Sequence, residues 1–178
     1  MVIQYTLELD KKRHPMMVRE KEINYETEVV SCSSDATRLL QEVFHAASQA
    51  EEHMYLISLD TKKHILGVFD VAHGQVSGCA ITPREVFLRA IVSGAVSCII
   101  AHNHPSGDPS PSGEDNTFTA RIQEAGNLLN IRLDDSIIIG DGGYYSYDLE
   151  SDSVSAGDGR ICPAVKVLRT VRFTAAAV

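Results

Sequence analysis

The stretch AHNHPSGDPSPSGEDN, residues 101–116, joins a predicted strand to a predicted helix through a loop of Pro, Ser and Gly. The preceding run, AVSCIIA, is short, apolar and partly β-branched, which predicts a buried strand. The following run, GEDNTFTARIQEAGNLLN, predicts a helix with one apolar face. That face contains Phe118, Ile122, Ala125 and Leu129.

His102 and His104 lie where the predicted strand ends. Residues two apart on a strand face the same side, so extended geometry aims both imidazoles at one point. Asp115 lies in the first turn of the next helix, and the intervening loop can fold that turn back over the strand end. Two imidazoles and one carboxylate form a three-ligand set of the kind that catalytic zinc uses, with a fourth position for water.

The spacing alone leaves a second interpretation open. Two histidines in a loop are commonly only solvated, and short motifs match by chance. Ser112 has a local role as helix N-cap, and Asp115 has one as a first-turn acid that interacts favourably with the helix dipole.

The N-terminal part of the chain gives weaker patterns. Residues 2–9 alternate partly and predict a strand, whereas residues 10–25 are charged and predict a loop or arm. The run EVVSC, residues 28–32, predicts a short second strand. A helix follows over residues 34–48, with Ser34 or Asp35 as its N-cap.

Two further strands and a helix precede the opening stretch. HMYLISLD and HILGVFDV predict strands, and TKK between them predicts a turn that pairs them antiparallel. In TPREVFLRAIVSG, Thr82 predicts an N-cap, Pro83 the first helical position and Glu85 a capping box. The buried stripe of this helix is predicted to contain Val86, Ala90 and Ile91.

The last two strands are predicted at IRLDDSIIIG and YYSYD, separated by a GDGG turn. The resulting order of helices and strands predicts an α/β protein with a mixed sheet flanked by helices. We expect an N-terminal arm with possible strands over 1–33, a main domain over 34–150, and a linker and tail over 151–178. Within this tail, SDSVSAGDGR reads as a linker and ICPAVKVLRTVRFTAAAV as an extra strand or an irregular segment.

The charge of the chain weighs against nucleic acid as a direct partner. The formal net charge is −8, whereas nucleic-acid binders usually present a basic patch. The basic residues are thinly spread, apart from two short groups. These are Lys11, Lys12 and Arg13, and Lys166, Arg169 and Arg172 near the C-terminus.

We expect a reducing, cytoplasmic setting without a membrane segment. No apolar run reaches the roughly 18 residues of a membrane span, and the first residues lack the pattern of a secretory signal. The four cysteines are widely scattered and do not suggest a disulfide framework. They are Cys32, Cys79, Cys98 and Cys162.

The opening stretch has the spacing His-x-His-Pro, six residues, Ser, two residues, Asp. This resembles the motif of the JAMM metalloproteases, also called MPN+ or JAB. The runs LISLD, TPREVF, AHNHPSGDP and IIIGDGGYYS resemble one branch, the RadC-like JAB domains, over roughly residues 34–150. The resemblance implies the JAB/MPN fold, similar to cytidine deaminase, with a curved mixed β-sheet flanked by helices.

The resemblance also implies a zinc ion held by His102, His104 and Asp115, and a glutamate general base further upstream. RadC-like sequences tend to carry this glutamate eight positions before a strand-ending aspartate. Counting back from Asp60 selects Glu52 and leaves Glu51 as the alternative.

The motif serine is matched by Ser112, whose hydroxyl would help to stabilise the oxyanion. Ser106 is a second candidate, although its position before Gly107 is more typical of a turn residue.

The leading hypothesis is therefore a zinc-dependent JAMM-type hydrolase that cleaves a peptide or isopeptide bond in a protein or peptide substrate. The alternative is a metal-binding accessory protein without catalysis, linked to DNA repair or mobile elements. RadC proteins carry an N-terminal helix-hairpin-helix segment, and residues 1–33 show no such motif, so implications about DNA carry over poorly. A homodimer is kept open as the state of assembly.

Overall fold

The computed structural model describes residues 1–74 and 81–149, together with the backbone of a strand at Arg160–Pro163. The strands are β1 (Val2–Leu9), β2 (Pro15–Ile23), β3 (His53–Leu59), β4 (Ile65–His73), β5 (Ser97–Asn103), β6 (Arg132–Ile139), β7 (Gly143–Ser146) and β8 (Arg160–Pro163). The helices are α1 (Ser33–Phe44), a short 3₁₀ turn at Ala46–Ser48, α2 (Pro83–Val92) and α3 (Gly113–Leu129).

The eight strands form one sheet in the order β2-β1-β4-β3-β5-β6-β7-β8. Neighbours pair antiparallel, except for β1 with β4 and β5 with β6, which run parallel. The predicted α/β class with a mixed sheet flanked by helices is thereby confirmed. The central strands β3, β5 and β6 are buried almost throughout because helices cover both faces of the sheet.

Alternate side chains of β3 divide the core between the two faces. Tyr55 and Ile57 belong to the cluster that contains the buried residues of α1, whereas Leu56 belongs to the cluster that contains those of α2 and α3. This alternation follows from the two-residue period of a strand. Gly126 of α3 lies against the Phe87 ring of α2, and an added Cβ at Gly126 would come within 2.5 Å of a backbone oxygen.

The local signals of α2 are confirmed. The Thr82 side chain accepts a hydrogen bond from the helix backbone, and the Glu85 carboxylate accepts one from the Thr82 backbone, which completes the capping box. Val86 and Ala90 are fully buried, but Ile91 is 54% exposed, so its predicted place in the buried stripe is wrong. Leu129, predicted on the apolar face of α3, is 44% exposed, because it is the last residue of the helix and lies beyond the part of that face that packs against the core.

The prediction of a loop over residues 10–25 is wrong. Within this range the structure has β2, which pairs with β1 along its whole length. β2 is an edge strand, and most of its side chains are at least partly exposed, so apolar alternation does not mark it in the sequence. The predicted short strand at residues 28–32 is reduced to one isolated bridge between Val29 and His64.

The start and end of α1 also differ from the prediction. Its N-cap is Cys32 rather than Ser34 or Asp35, and the Asp35 carboxylate instead accepts a hydrogen bond from the Ser31 backbone. The helix ends at Phe44, where His45 takes a left-handed conformation (φ 53°) before the 3₁₀ turn.

The C-terminal expectations are only partly within the described residues. The strand β8 pairs with β7, so the start of the final segment is a strand. The remainder of the predicted linker and tail, including Lys166, Arg169 and Arg172, lies outside the described residues, as does Cys79. None of the described helices combines the length and apolar composition that a bilayer span requires.

Candidate metal centre

Four side chains converge at the carboxyl end of β5. Glu52, His102, His104 and Asp115 each offer one ligand atom, and these four atoms lie within 4.8 Å of one another. His102 Nε2 is 3.1 Å from His104 Nε2 and 3.1 Å from Asp115 Oδ1. His104 Nε2 is 3.6 Å from Asp115 Oδ2.

These separations fit a small tetrahedral cation. Zinc–nitrogen and zinc–oxygen distances of about 2.0–2.2 Å give a tetrahedron with edges of about 3.3–3.6 Å. The three distances that join His102, His104 and Asp115 scatter around this range. Two imidazoles and a carboxylate are also a donor set that suits zinc, so the residues present fit the ion that the sequence motif implies.

The strand geometry brings the two histidines to one side. His102 lies within β5, and the backbone of His104 continues the pairing with β6 by donating to the Ile139 carbonyl at 2.9 Å. The extended path therefore persists to residue 104, and side chains two apart share a face. His102 is almost fully buried, whereas the His104 side chain is partly accessible.

The loop after β5 fixes the orientation of the His104 ring. His104 Nδ1 lies 2.8 Å from the Asp108 carbonyl oxygen, which can only accept, so Nδ1 carries the proton. In the neutral ring that metal binding requires, Nε2 is then the unprotonated nitrogen that faces the other ligand atoms. Such a partner on the second ring nitrogen is the usual way in which proteins orient a histidine ligand.

Ser112 and Asp115 form the capping box of α3. Ser112 Oγ accepts from the Asp115 backbone at 3.1 Å and donates to Asp115 Oδ2 at 2.6 Å, while the Ser112 backbone donates to the same oxygen at 2.7 Å. The local role predicted for Ser112 as N-cap is confirmed. The cap also holds the Asp115 carboxylate against the two imidazoles.

Gly140, in the loop after β6, makes room for the loop that follows His104, and no local sequence pattern marks this contact. Gly107 takes a left-handed conformation (φ +82°), and its carbonyl accepts from the Asp141 backbone at 3.0 Å. A Cβ at Gly140 would meet the Gly107 oxygen at 2.3 Å and Pro109 at 2.8 Å. The GDGG run, read as a turn, is therefore also a contact surface for the loop that follows His104.

The charges of the cluster reinforce one another. Burial by itself raises the pKa of Asp115, but hydrogen bonds from His102 and His104 hold that pKa well below its usual range. The hydrogen bond with Asp115 in turn raises the pKa of His104. The carboxylate is therefore ionised, as a metal ligand must be.

Glu52, and not Glu51, belongs to the cluster. Glu52 Oε1 lies 4.0 Å from His102 Nε2, and its side chain is mostly buried. The Glu51 side chain is 63% exposed and pairs with His73 at 3.3 Å. The structure therefore brings the preferred glutamate to the site and leaves its neighbour outside.

The other candidate residues lie apart from the cluster. Ser106 Oγ accepts a 3.4 Å hydrogen bond from the Asp108 backbone, as a turn residue does. Four of the remaining histidines each pair with a carboxylate within 3.3 Å. They are His14, His53, His64 and His73.

The comparison with known families agrees with this geometry. The sequence profile of the RadC-like JAB domain matches residues 30–152 of the chain. The chain belongs to the RadC-like JAB domain family. As a RadC-like JAB domain it is a member of the JAMM/MPN superfamily, with a group of one Glu, two His and one Asp that could hold a metal ion.

Several curated relatives of this RadC-like JAB domain are named only as UPF0758 proteins. One from Clostridium acetobutylicum is 39% identical over 69% of the chain and 53% of the relative. One from Shouchella clausii is 42% identical over 66% of the chain and 50% of the relative. One from Alkaliphilus oremlandii is 44% identical over 63% of the chain and 47% of the relative. The chain thus spans about half the length of the curated relatives that it matches.

Proposed function

We propose that this RadC-like JAB domain is a metal-dependent hydrolase that cleaves a peptide or isopeptide bond with an activated water. The observation that carries the proposal is the position of Glu52, whose carboxylate lies 4.0 Å from His102 Nε2, beside a complete three-ligand set. A site that only binds a metal needs no additional carboxylate of this kind.

His102, His104 and Asp115 are the residues that would hold the metal ion, which we propose to be zinc. When bound, zinc lowers the pKa of a coordinated water towards neutrality and polarises a carbonyl group. Three protein ligands would leave a fourth position for that water. The partial exposure of His104 and Glu52 gives the substrate access from one side.

Glu52 is the proposed general base and acid. Its carboxylate accepts a proton from the water as the water attacks the carbonyl carbon, and then donates this proton to the nitrogen of the leaving amine. The proton that Glu52 accepts from the water is the one that it donates to the amine, so these two transfers need no other proton donor. Its position next to the ligand atoms lets one rotatable carboxylate serve both transfers.

Ser112 is proposed to donate a hydrogen bond to the oxyanion. In the structure its hydroxyl hydrogen goes to Asp115 Oδ2 at 2.6 Å, and one hydrogen cannot serve two acceptors at once. Its action on the oxyanion therefore requires the hydroxyl to rotate away from Asp115. The backbone hydrogen bond from Ser112 to Asp115 would still hold the carboxylate during this rotation.

The test is hydrolysis by the metal-loaded protein. Wild-type protein, stripped with a chelator and reloaded with one equivalent of zinc, is offered a fluorogenic peptide library and isopeptide-linked conjugates. We expect hydrolysis that appears on zinc loading and disappears with the chelator. Zinc bound at one equivalent without turnover of either substrate class would instead favour the accessory, metal-binding alternative.

Nucleic acid is proposed to be at most a weak partner. A chain of net charge −8 can bring few Lys or Arg side chains against DNA phosphates. We therefore expect a dissociation constant for DNA no lower than the non-specific range of roughly 10⁻⁴ to 10⁻⁶ M at physiological salt. Titration of duplex and single-stranded DNA at two salt concentrations measures this. Nanomolar binding that survives high salt would move the DNA-linked alternative ahead of the hydrolase.

A further inference from the structure

Asn103, the residue between the two histidines, makes a pair of hydrogen bonds that the metal ligands do not account for. It is 1% exposed. Its Nδ2 donates to the Glu51 carbonyl at 3.0 Å, and its Oδ1 accepts from the His53 backbone N–H at 2.8 Å. The two backbone groups that it holds belong to the residues immediately before and after Glu52.

These bonds lie where the main-chain pairing of β3 with β5 ends. The last pair in that ladder is Met54 with His102. At the next position the main chain of β5 still pairs with β6, through Asn103 with Ile139, but no longer with β3. The Asn103 side chain takes over on the β3 side, with an amide that donates and accepts as a peptide group does.

The segment around Glu52 is also held from its other side. The Glu52 carbonyl accepts from the Gly74 backbone at 2.9 Å, just after the end of β4. The backbone of residues 51–53 therefore has hydrogen bonds to both neighbouring strands. Because the backbone is held at three consecutive residues, the position of the Glu52 Cα atom and the direction of its Cα–Cβ bond are restricted.

From this geometry we infer that Asn103 is a positioning residue that sets the place of the Glu52 carboxylate relative to the metal ligands. One residue triplet then performs two tasks. His102 and His104 face the metal, and Asn103 between them fixes the strand that carries the proposed base. The inference rests on the proposed function, because it assigns Glu52 the role of general base.

Only an amide of this length supplies both bonds. Leucine at position 103 matches the size of asparagine but has neither donor nor acceptor. Aspartate keeps an acceptor for the His53 N–H and loses the donor to the Glu51 carbonyl. Asn103→Leu therefore removes both hydrogen bonds, and Asn103→Asp removes one. Neither substitution changes the three proposed metal ligands.

The experiment uses Co²⁺ in place of zinc, because the visible absorption bands of bound Co²⁺ respond to the groups around the open coordination position. The whole chain is prepared as wild type, Glu52→Gln, Asn103→Leu, Asn103→Asp and the double variant Glu52→Gln/Asn103→Leu. We expect all five to bind about one equivalent, and Asn103→Leu to alter the same bands as Glu52→Gln. The double variant should show little further change, because both substitutions act through one side chain.

Turnover gives a second readout where a substrate is found. We expect kcat of Asn103→Leu to fall roughly ten- to a hundredfold with little change in KM, as is typical when a supporting contact of a metal site is lost. Ser58→Ala is the matched control, because Ser58 is a buried polar residue of β3 whose hydroxyl donates to the Gly67 carbonyl. It should leave the cobalt spectrum and kcat unchanged.

The outcomes separate the two proposals. A spectrum that changes with Glu52→Gln but not with either Asn103 variant overturns the positioning role alone, as do independent effects in the double variant. A wild-type protein that binds no cobalt, or a spectrum that Glu52→Gln leaves unchanged, overturns the proposed function and this inference together. Asn103→Asp keeps the test open should Asn103→Leu fail to fold.

Discussion

The two ends of the parallel pair β5 and β6 both bury carboxylates, but they use them differently. At the carboxyl end, Asp115 faces two imidazoles at 3.1 and 3.6 Å. At the opposite end, Asp134 and Asp135 are each 4% exposed near the start of β6. Each end is thus a buried acidic site, and the partners decide what each can do.

Donor groups of the protein surround the two carboxylates at the start of β6. Asp134 pairs with Lys63 and Arg132, each at 2.7 Å. Asp135 accepts hydrogen bonds from side-chain and backbone groups between 2.7 and 2.9 Å. These donors are the Ser146 hydroxyl and the backbone N–H groups of Ser136 and Asp148. These hydrogen bonds satisfy the Asp135 carboxylate within the chain, which is typical of a structural role.

The carboxyl end of β5 differs because its acceptor atoms face one another. The Nε2 atoms of His102 and His104 lie 3.1 Å apart, with Asp115 and Glu52 beside them. Several lone pairs that point at one volume are unfavourable until a cation or protons fill it. Burial of acidic side chains therefore does not by itself create a metal-binding site, whereas convergence of acceptor atoms can.

The largest expected effect is the loss of metal on His104→Ala. Wild-type protein should bind about one equivalent of zinc, and removal of one of three ligands should weaken binding by more than about a hundredfold. Elemental analysis after dialysis and a competition titration with a chromophoric chelator measure this. His64→Ala is the matched control, because His64 pairs with the turn residue Asp60 and is not part of the four-residue group. A wild-type stoichiometry well below one would contradict the metal site.

The second effect is the loss of hydrolysis on Glu52→Gln. The amide keeps the shape of the side chain but cannot accept the proton, so activity should fall by roughly a hundredfold or more while zinc stays bound. Glu51→Gln is the control and should retain activity, because Glu51 is exposed and paired with His73. The reverse pattern would show that the neighbouring glutamate is the base.

The smallest effect concerns the opposite end of the strands. Burial raises the pKa of Asp135 to about 6, against hydrogen bonds from groups such as Ser146 that lower it. Its unfolded pKa is about 3.9, so its contribution to stability is complete below that pH and is lost as the pH rises through about 6. Asp135→Asn should therefore gain about 1–3 kcal/mol relative to wild type between pH 4 and pH 7.5.

Urea unfolding of both proteins at the two pH values measures this difference. Asp134→Asn is the control, and we expect it to destabilise the protein at pH 7.5, because it removes a buried negative charge that lies 2.7 Å from Lys63 and from Arg132. A difference between Asp135→Asn and wild type that does not change with pH would show that this carboxyl is as easily ionised in the folded protein as in the unfolded one.

The sequence alone predicted what depends on neighbours along the chain. The shared face of His102 and His104 follows from the two-residue period of β5, and the cap of α3 follows from the spacing of Ser112 and Asp115. The buried strands and the capping box of α2 were predicted for the same reason. Each of these features is set by a few consecutive residues, so its signal survives in the linear sequence.

Other features had no such signal. The edge strand β2 pairs on one side only and exposes both faces, so its side chains show no clear period. Gly140 must be glycine because the Gly107 carbonyl of another loop lies against it, and that contact spans two separate loops. The N-cap of α1 was predicted wrongly because several neighbouring polar residues were equally suitable by type.

The types and order of the candidate ligands and the fold class could be predicted from the sequence, since they follow from local periodicity, capping and a motif with many fixed positions. The resemblance to a family favoured Glu52 and left Glu51 open, and the tertiary structure brings Glu52 to the candidate ligands. It also shows that Asn103 holds the backbone on either side of Glu52. The physical reason is distance along the chain. Contacts between residues about fifty positions apart arise from strand pairing and packing, which no local pattern encodes.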